Sequence, residues 1–246
     1  MRVHDVDRVM VLGSGGVYGN PEFIPADEET PHKPLTPYDV SKSRMEDEVR
    51  QSTEEWGLKA TVLRPAAMYG PRSRKGAAVP IFLMALGQMP GVPGKRDCVA
   101  AFAHVRDVVG AARFLMNHPR AAGEVYNVAD DTLITVQDLL GTLAPHLDAR
   151  IWNVQLPQWG LRLLSWWNAR RAKKTGRTPR IERDALVTLM YDTFMSNRKL
   201  KDAGYGFRYP DAVLGMVETI AWYRAHNWLW REEYSRKKEL PGAPPA

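Results

Sequence analysis

The apolar run Val9–Met10–Val11–Leu12 follows Arg8 and stops at a glycine cluster, GSGGVYG, over residues 13–19. A short unbroken apolar run bounded by glycine predicts a fully buried strand. Residues 20–37 are rich in proline and acidic side chains, which predicts a surface loop. Thr36-Pro37 has the form of a helix N-cap with proline at the first helical position. From there Tyr38, Lys42, Met45, Val49, Thr53 and Trp56 recur at helical spacing, and Gly57 supplies a stop. Residues 59–64 (KATVLR) predict the next strand, followed by a loop from Pro65 to about Gly76. Helices are predicted over 78–88 and 105–117, and a strand over Glu124–Val128. Residues 135–146 read as a helix capped by Thr135, and 150–154 as a short strand. Segments 157–172, 180–193, 196–203 and 211–226 read as helices, and the PGAPPA tail from Pro241 is disordered by composition. Strands alternate with helices early and helices dominate later, so the expected class is α/β, a parallel sheet with a helical appendage.

Composition narrows the function only a little. The chain has 246 residues, 44% of them hydrophobic and 25% charged, ordinary for a globular protein with a substantial core. One cysteine, Cys98, excludes an internal disulfide and suits a reducing compartment. The amino terminus has too short an apolar run for a secretory signal, and no apolar stretch reaches spanning length, so a cytoplasmic protein is expected. The net charge of +6 comes largely from Arg170, Arg171, Lys173, Lys174, Arg177 and Arg180 and from a second group at Arg231, Arg236, Lys237 and Lys238. Aromatic residues do not interleave with this basic stretch, which reads as a solvated loop and not as a nucleic-acid surface. No His/Cys/Asp spacing suggests a metal site.

Candidate chemistry begins with Tyr38 and Lys42, which lie one turn apart on one helix face. A phenol is ordinarily a poor base at neutral pH, but a nearby ammonium favours the phenolate and makes proton exchange with an alcohol or carbonyl practical. A hydroxyl such as Ser14 could hold the reacting oxygen. The bland alternative is an amphipathic helix that carries Tyr and Lys four apart by chance.

Context carries the pair further. The order and spacing of S14-G-G-V-Y-G19, Glu28 in a proline-rich stretch, P37-Y-D-V-S-K42, L63-R-P-A-A-M-Y-G-P-R72, F102-A-H-V-R-D-V-V-G-A111 and V125-Y-N-V-A129 resemble the extended short-chain dehydrogenase/reductase family, the NAD-dependent epimerase/dehydratase-like enzymes. L200-K-D-A-G-Y205 and Trp222-Tyr223 resemble its closing helices. The resemblance implies a Rossmann-like parallel sheet, truncated at its N-terminal side, over residues 1–128. An interleaved, mainly helical substrate-binding portion would cover 129–240, with a tail at 241–246. It implies NAD or NADP as cofactor and a small-molecule substrate, with hydride passing to or from a substrate carbon. Tyr38 would be the acid/base. Lys42 would bind the nicotinamide ribose and depress the Tyr38 pKa, and Pro65 and Ala66 would lie against the nicotinamide. Ser14, with Gly15 and Ala67, would face the substrate. His104 is expected to be structural, and Asp107 to sit in the first turn of the helix that follows it. A homodimer through the helices at 38–56 and 78–88 is the family's habit.

GSGGVYG also fits G-x-x-G-x-x-G through Gly13, Gly16 and Gly19, the family's diphosphate-binding spacing at its first strand. That site needs a helix starting at the loop, and N20-P-E-F-I-P25 has no apolar periodicity to make one. The segment is therefore expected to be the family's fifth strand, which would leave the edge of Val9–Leu12 open where a strand should pair. Alone, the chain should bind NAD weakly and tend to aggregate. For the substrate, Ala67 stands where nucleotide-sugar members carry Asn, and residues 96–104 depart from their Arg-Asp-aromatic motif. The Trp- and Leu-rich residues 156–167 and the T178-P-R-I-E-R183 that follows resemble the 3β-hydroxysteroid and sterol-carboxylate dehydrogenase branch. They read first as a helix packed on the sheet domain, then as the lining of a pocket for an apolar alcohol, and last as a membrane-surface contact. The function expected is an oxidoreductase acting on a CH–OH or C=O group. The alternatives are a nucleotide-sugar epimerase or dehydratase and a non-catalytic remnant that keeps the fold.

Overall fold

The computed structural model describes residues 8–89, 92–93, 98–151, 155–156, 170 and 191–229. The first strand, β1 (Val9–Leu12), leads through Ser14 into a single 3-10 turn, Gly15–Tyr18. An irregular loop then runs to α1 (Pro37–Trp56), which Thr36 caps through its side chain by accepting from Asp39 N, and which Gly57 ends in the left-handed conformation. β2 (Ala60–Pro65) is buried along its whole length, and β3 (Ala67–Tyr69) follows after one residue. α2 (Ala78–Ala85), β4 (Val92–Pro93), β5 (Phe102–His104) and α3 (Val105–Met116) come next. After β6 (Val125–Val128), α4 (Val136–Leu143) runs into the 3-10 turn Ala144–Leu147. β7 (Gln155–Leu156), α5 (Arg198–Asp202) and α6 (Ala212–Ala225) complete the described elements.

The expected α/β class holds. β1, β2 and β6 form a parallel sheet in that order, with Val11 opposite Val62 and Val62 opposite Val125. α1 connects β1 to β2, and α3 lies in the connection from β2 to β6. β1 is an edge: among the described residues no strand pairs with its other side, and Leu12 is exposed. Parallel pairs β3–β5 and β4–β7 extend the architecture beside this sheet. α3 shows why an amphipathic pattern suffices to dock a helix: Val108, Ala111 and Leu115 share one stripe and are buried beside Leu63, Tyr126 and Val128. A second core gathers Tyr69, Ile81, Phe82, Leu139, Leu140, Met216, Ile220 and Tyr223 from β3, α2, α4 and α6.

Several predicted boundaries move. The loop expected from Pro65 contains β3, and β5 was not anticipated; both are three residues long, too short for a period to show. Helix α4 stops at Leu143 because Pro145 supports only a 3-10 turn beyond it. The strand expected at 150–154 and the helices expected at 157–172 and 180–193 lie mostly outside the described residues, as does the tail. Residues 191–193 are not helical, and Thr193 bridges Ala100 as a parallel strand residue would.

Candidate active site

The carboxyl ends of β1 and β2 bring five of the expected residues to one edge of the sheet. This is where open parallel sheets place their ligands. Ser14 follows the end of β1 and caps the 3-10 turn, its Oγ accepting from Gly16 N at 3.1 Å. Pro65 ends β2, and its carbonyl lies against Gly15, 3.3 Å from where a Cβ would stand. Ala66 is buried, with its N–H donated to Val128 O at 2.9 Å. Ala67 opens β3 as an exposed residue.

Tyr38 and Lys42 reach this edge from α1. The Lys42 Nζ donates to Leu12 O, the last carbonyl of β1, at 2.8 Å and stands 5.8 Å from the centroid of the Tyr38 ring. Tyr38 is 53% exposed, open to an incoming molecule. The first turn of α1 packs against the 3-10 turn so closely that a Cβ on Gly16 would run into Asp39 Oδ1. Ser14, Tyr38 and Lys42 therefore border one surface.

The glycine segment does something other than the phosphate-binding spacing suggests. A Cβ at Gly13 would meet Glu46 Oε1, one at Gly16 would meet Asp39 Oδ1, and one at Gly19 would meet the carbonyl of Lys33. All three spaces are filled by oxygen atoms, two of them carboxylate, which repel a phosphate. No α-helix begins at the loop either, only the four-residue 3-10 turn. The glycine segment therefore does not fit the diphosphate of a nicotinamide dinucleotide.

Beneath this surface lies a buried polar network of residues, several of them within the quoted motifs, for which the sequence suggested no role. Arg64, on β2, is 5% exposed and places all five of its N–H donors. Nε and Nη2 donate to Glu46 Oε2 at 2.9 and 2.7 Å, and Nη1 donates to Tyr18 Oη at 2.8 Å and Glu28 O at 3.0 Å. The remaining Nη2 hydrogen goes to His32 Nε2 at 2.7 Å, so the His32 Nδ1 carries a proton and donates to Ser43 Oγ at 2.9 Å. Tyr18 Oη donates to Asn127 Oδ1 at 2.7 Å, and burial pushes the phenol up to about 12 although Arg64 opposes this. Burial, then the charge of Arg64, holds His32 below the ordinary imidazole range.

A second polar group lies around Asp107. His104 caps α3 by accepting from Arg106 N at 3.1 Å and stacks on Tyr209, and burial lowers it to about 4. This agrees with the structural role expected of it. Asp107 sits in the first turn of α3 and accepts from the backbone N–H groups of Arg208 and Tyr209 at 2.8 and 2.9 Å. Nearby, Tyr69 Oη and Asp130 Oδ2 are buried without a hydrogen-bond partner among the described residues. No cluster of three or more potential metal ligands occurs among the described residues.

A family model for the NAD dependent epimerase/dehydratase family matches residues 1–129, just over half of the chain. The chain belongs to this family. The chain is similar to a putative UDP-glucose 4-epimerase of Methanocaldococcus jannaschii, 31% identical over 156 residues, which span 61% of this chain and 50% of that one. It is also similar to a dTDP-glucose 4,6-dehydratase of Streptomyces antibioticus, 27% identical over 98% of this chain and 64% of the relative. The chain thus spans about half to two-thirds of the length of these relatives. Its fold matches that of a UDP-glucose 4-epimerase of Thermotoga maritima solved with UDP-glucose, with a TM-score of 0.68, 24% identity, and coverage of 90% of this chain and 64% of that one. No described helix is long and apolar enough to cross a membrane.

Proposed function

We propose that this chain carries the proton-transfer end of an NAD(P)-dependent oxidoreductase site acting on a CH–OH/C=O group of a nucleotide sugar. The observation that carries the reading is Lys42, whose ammonium is fastened to the last carbonyl of β1 beside the exposed Tyr38 ring. Tyr38 Oη takes the proton of the substrate hydroxyl during oxidation and returns it during reduction. The Lys42 ammonium stands where it can neutralise the phenolate as that charge forms. Ser14 holds the substrate oxygen, and Gly15 and Ala67 lie along the substrate. A bound nicotinamide nucleotide would supply the hydride acceptor or donor, with Lys42, Pro65 and Ala66 holding its ring and ribose end. Names of the relatives support the sugar-nucleotide class: UDP-glucose 4-epimerase and dTDP-glucose 4,6-dehydratase. Ala67 offers no polar side chain, so the phosphates of such a substrate are held by other residues. The apolar segment 156–167, on which an apolar-alcohol reading rests, lies almost wholly outside the described residues.

The test incubates the 246-residue chain with millimolar NAD or NADP and, separately, UDP-glucose, dTDP-glucose or a bulky apolar secondary alcohol. Sugar turnover that Tyr38→Phe slows by about a hundredfold or more supports the reading, since that is the usual scale of acid–base catalysis. Turnover indifferent to Tyr38→Phe, or confined to the apolar alcohol, overturns it.

A further inference from the structure

We propose that Glu46 and Arg64 are positioning residues that set where Tyr38 and Lys42 stand against the end of β1. This rests on the proton-transfer reading of Tyr38 and Lys42 given above. Residues 38, 42 and 46 succeed one another at four-residue steps, so their side chains share one face of α1. Among the twenty residues of α1, Glu46 is the one that is buried. A helix is normally held in register by apolar side chains seated between those of its neighbour. α1 lacks such a fully buried apolar residue, and the contact that fixes it is the Glu46 carboxylate on the Arg64 guanidinium. Ser43, one residue past Lys42, adds a second tie through His32 to the same Arg64.

The other end of the link is equally fixed. Arg64 stands on the central strand, with Leu63 paired to Tyr126 on one side and to Leu12 on the other. Its remaining donors hold Tyr18, just after Ser14 and Gly15, and the backbone of Glu28 in the loop before α1. The segment carrying Ser14 and the helix carrying Tyr38 and Lys42 are thereby referred to one guanidinium. Gly13 completes the fit, since Glu46 Oε1 occupies the space of a Cβ there. An axial slip of α1 by one residue would move Lys42 by about 1.5 Å. Such a slip is enough to lose its hydrogen bond to Leu12 O.

The test reads Lys42 directly, without turnover. Competitive acylation of lysines with trace acetic anhydride, followed by peptide mass spectrometry, compares the full chain with Glu46→Gln. That change keeps the shape and an oxygen acceptor for Arg64 and removes the charge. Lys42 is expected to react about fivefold faster in Glu46→Gln, the factor by which one net hydrogen bond protects. Lys59 and Lys75 should keep their wild-type rates, whereas general loosening would speed all three alike. Gly13→Ala, which pushes on the carboxylate while keeping both charges, should raise the Lys42 rate in the same direction and serves if Glu46→Gln fails to fold. Tyr38-dependent turnover in Glu46→Gln should fall by about a hundredfold in kcat with KM little changed, as ångström-scale misplacement does. Lys42 rates within twofold of wild type in the folded variants, or equal acceleration of all three lysines, overturn the positioning role. Absence of Tyr38-dependent turnover in the wild type, with Lys42 selectively freed, would instead overturn the functional reading and leave the positioning intact.

Discussion

Asp130 should make this protein less stable as the pH rises through the neutral range, and Asp130→Asn should abolish that loss. The residue stands two positions past the end of β6 and is 2% exposed. Its Oδ1 accepts from Thr132 N at 3.1 Å, while Oδ2 has no hydrogen-bond partner among the described residues. Burial dominates, the Thr132 hydrogen bond opposes it, and the charges of Asp131 and Asp211 add to it, so the carboxyl is raised from 3.8 to about 8. The folded state thus holds a proton that the unfolded chain gives up near pH 4. Stability from this group is fully present below 3.8, declines between 3.8 and about 8, and is level above that. A single group can impose at most about 1.4 kcal/mol per pH unit, so from pH 5 to pH 7 the loss approaches roughly 2.7 kcal/mol. Asparagine keeps the volume and the acceptor for Thr132 and takes up no proton. Urea unfolding followed by tryptophan fluorescence in steps of about half a pH unit, from about 4.5 to about 8.5, should give diverging curves, with the variant gaining on the wild type as the pH rises. Parallel curves would mean that Asp130 is ionised in the folded state and that the site is wetter than its burial implies.

The same treatment of His104 predicts the opposite slope. Its imidazole is lowered to about 4 by burial, so the stability it permits is present above pH 6.5 and is lost as the pH falls from there toward 4. His104→Asn, which keeps an acceptor for Arg106 N, should flatten that acid limb in the same urea series, and an unchanged limb would refute the assignment. Tyr69 Oη is buried without a partner and abuts Gly215. Gly215→Ala should therefore cost about 1–3 kcal/mol by overpacking, and Tyr69→Phe, which frees the space, should be near neutral alone and recover most of that cost in the double variant. A thermal-melt cycle measures the coupling, and strict additivity would be the contrary result. Arg64→Met should cost about 3–5 kcal/mol, because it leaves the Glu46 carboxylate buried without its counter-charge. A loss below about 1 kcal/mol by urea unfolding would place that carboxylate in water.

What the sequence displayed, and what it concealed, follows from the range of each interaction. α1 was legible from end to end because its signals are local: Thr36 caps it, Pro37 opens it and Gly57 stops it within its own segment. Its buried residue was not legible. Helical spacing pointed to Met45, Val49 and Thr53, yet Glu46 is what the structure buries, since its partner Arg64 lies 18 residues away on another element. No window of sequence along the helix carries that information. β3 and β5 escaped for the related reason that a three-residue strand is defined by its pairing, and each pairs across more than 30 positions. The motif spacings that carry Ser14, Tyr38 and Lys42 were legible because they travel together, while Asp130 lies outside every motif and the unpartnered hydroxyl of Tyr69, though inside one, declares itself only through burial.

The glycine segment shows why spacing alone is an unsafe guide to a phosphate site. Glycine is chosen wherever something must come closer to the backbone than a Cβ allows, and the motif does not say what comes. A diphosphate is one such visitor, and it arrives with negative charge that backbone N–H groups and a helix N-terminus must meet. At Gly13, Gly16 and Gly19 the visitors are Glu46 Oε1, Asp39 Oδ1 and the Lys33 carbonyl, acceptors already in residence. Two of them belong to α1, the helix that presents Tyr38 and Lys42. Gly13 and Gly16 therefore let α1 lie close enough to β1 for Lys42 to reach Leu12 O.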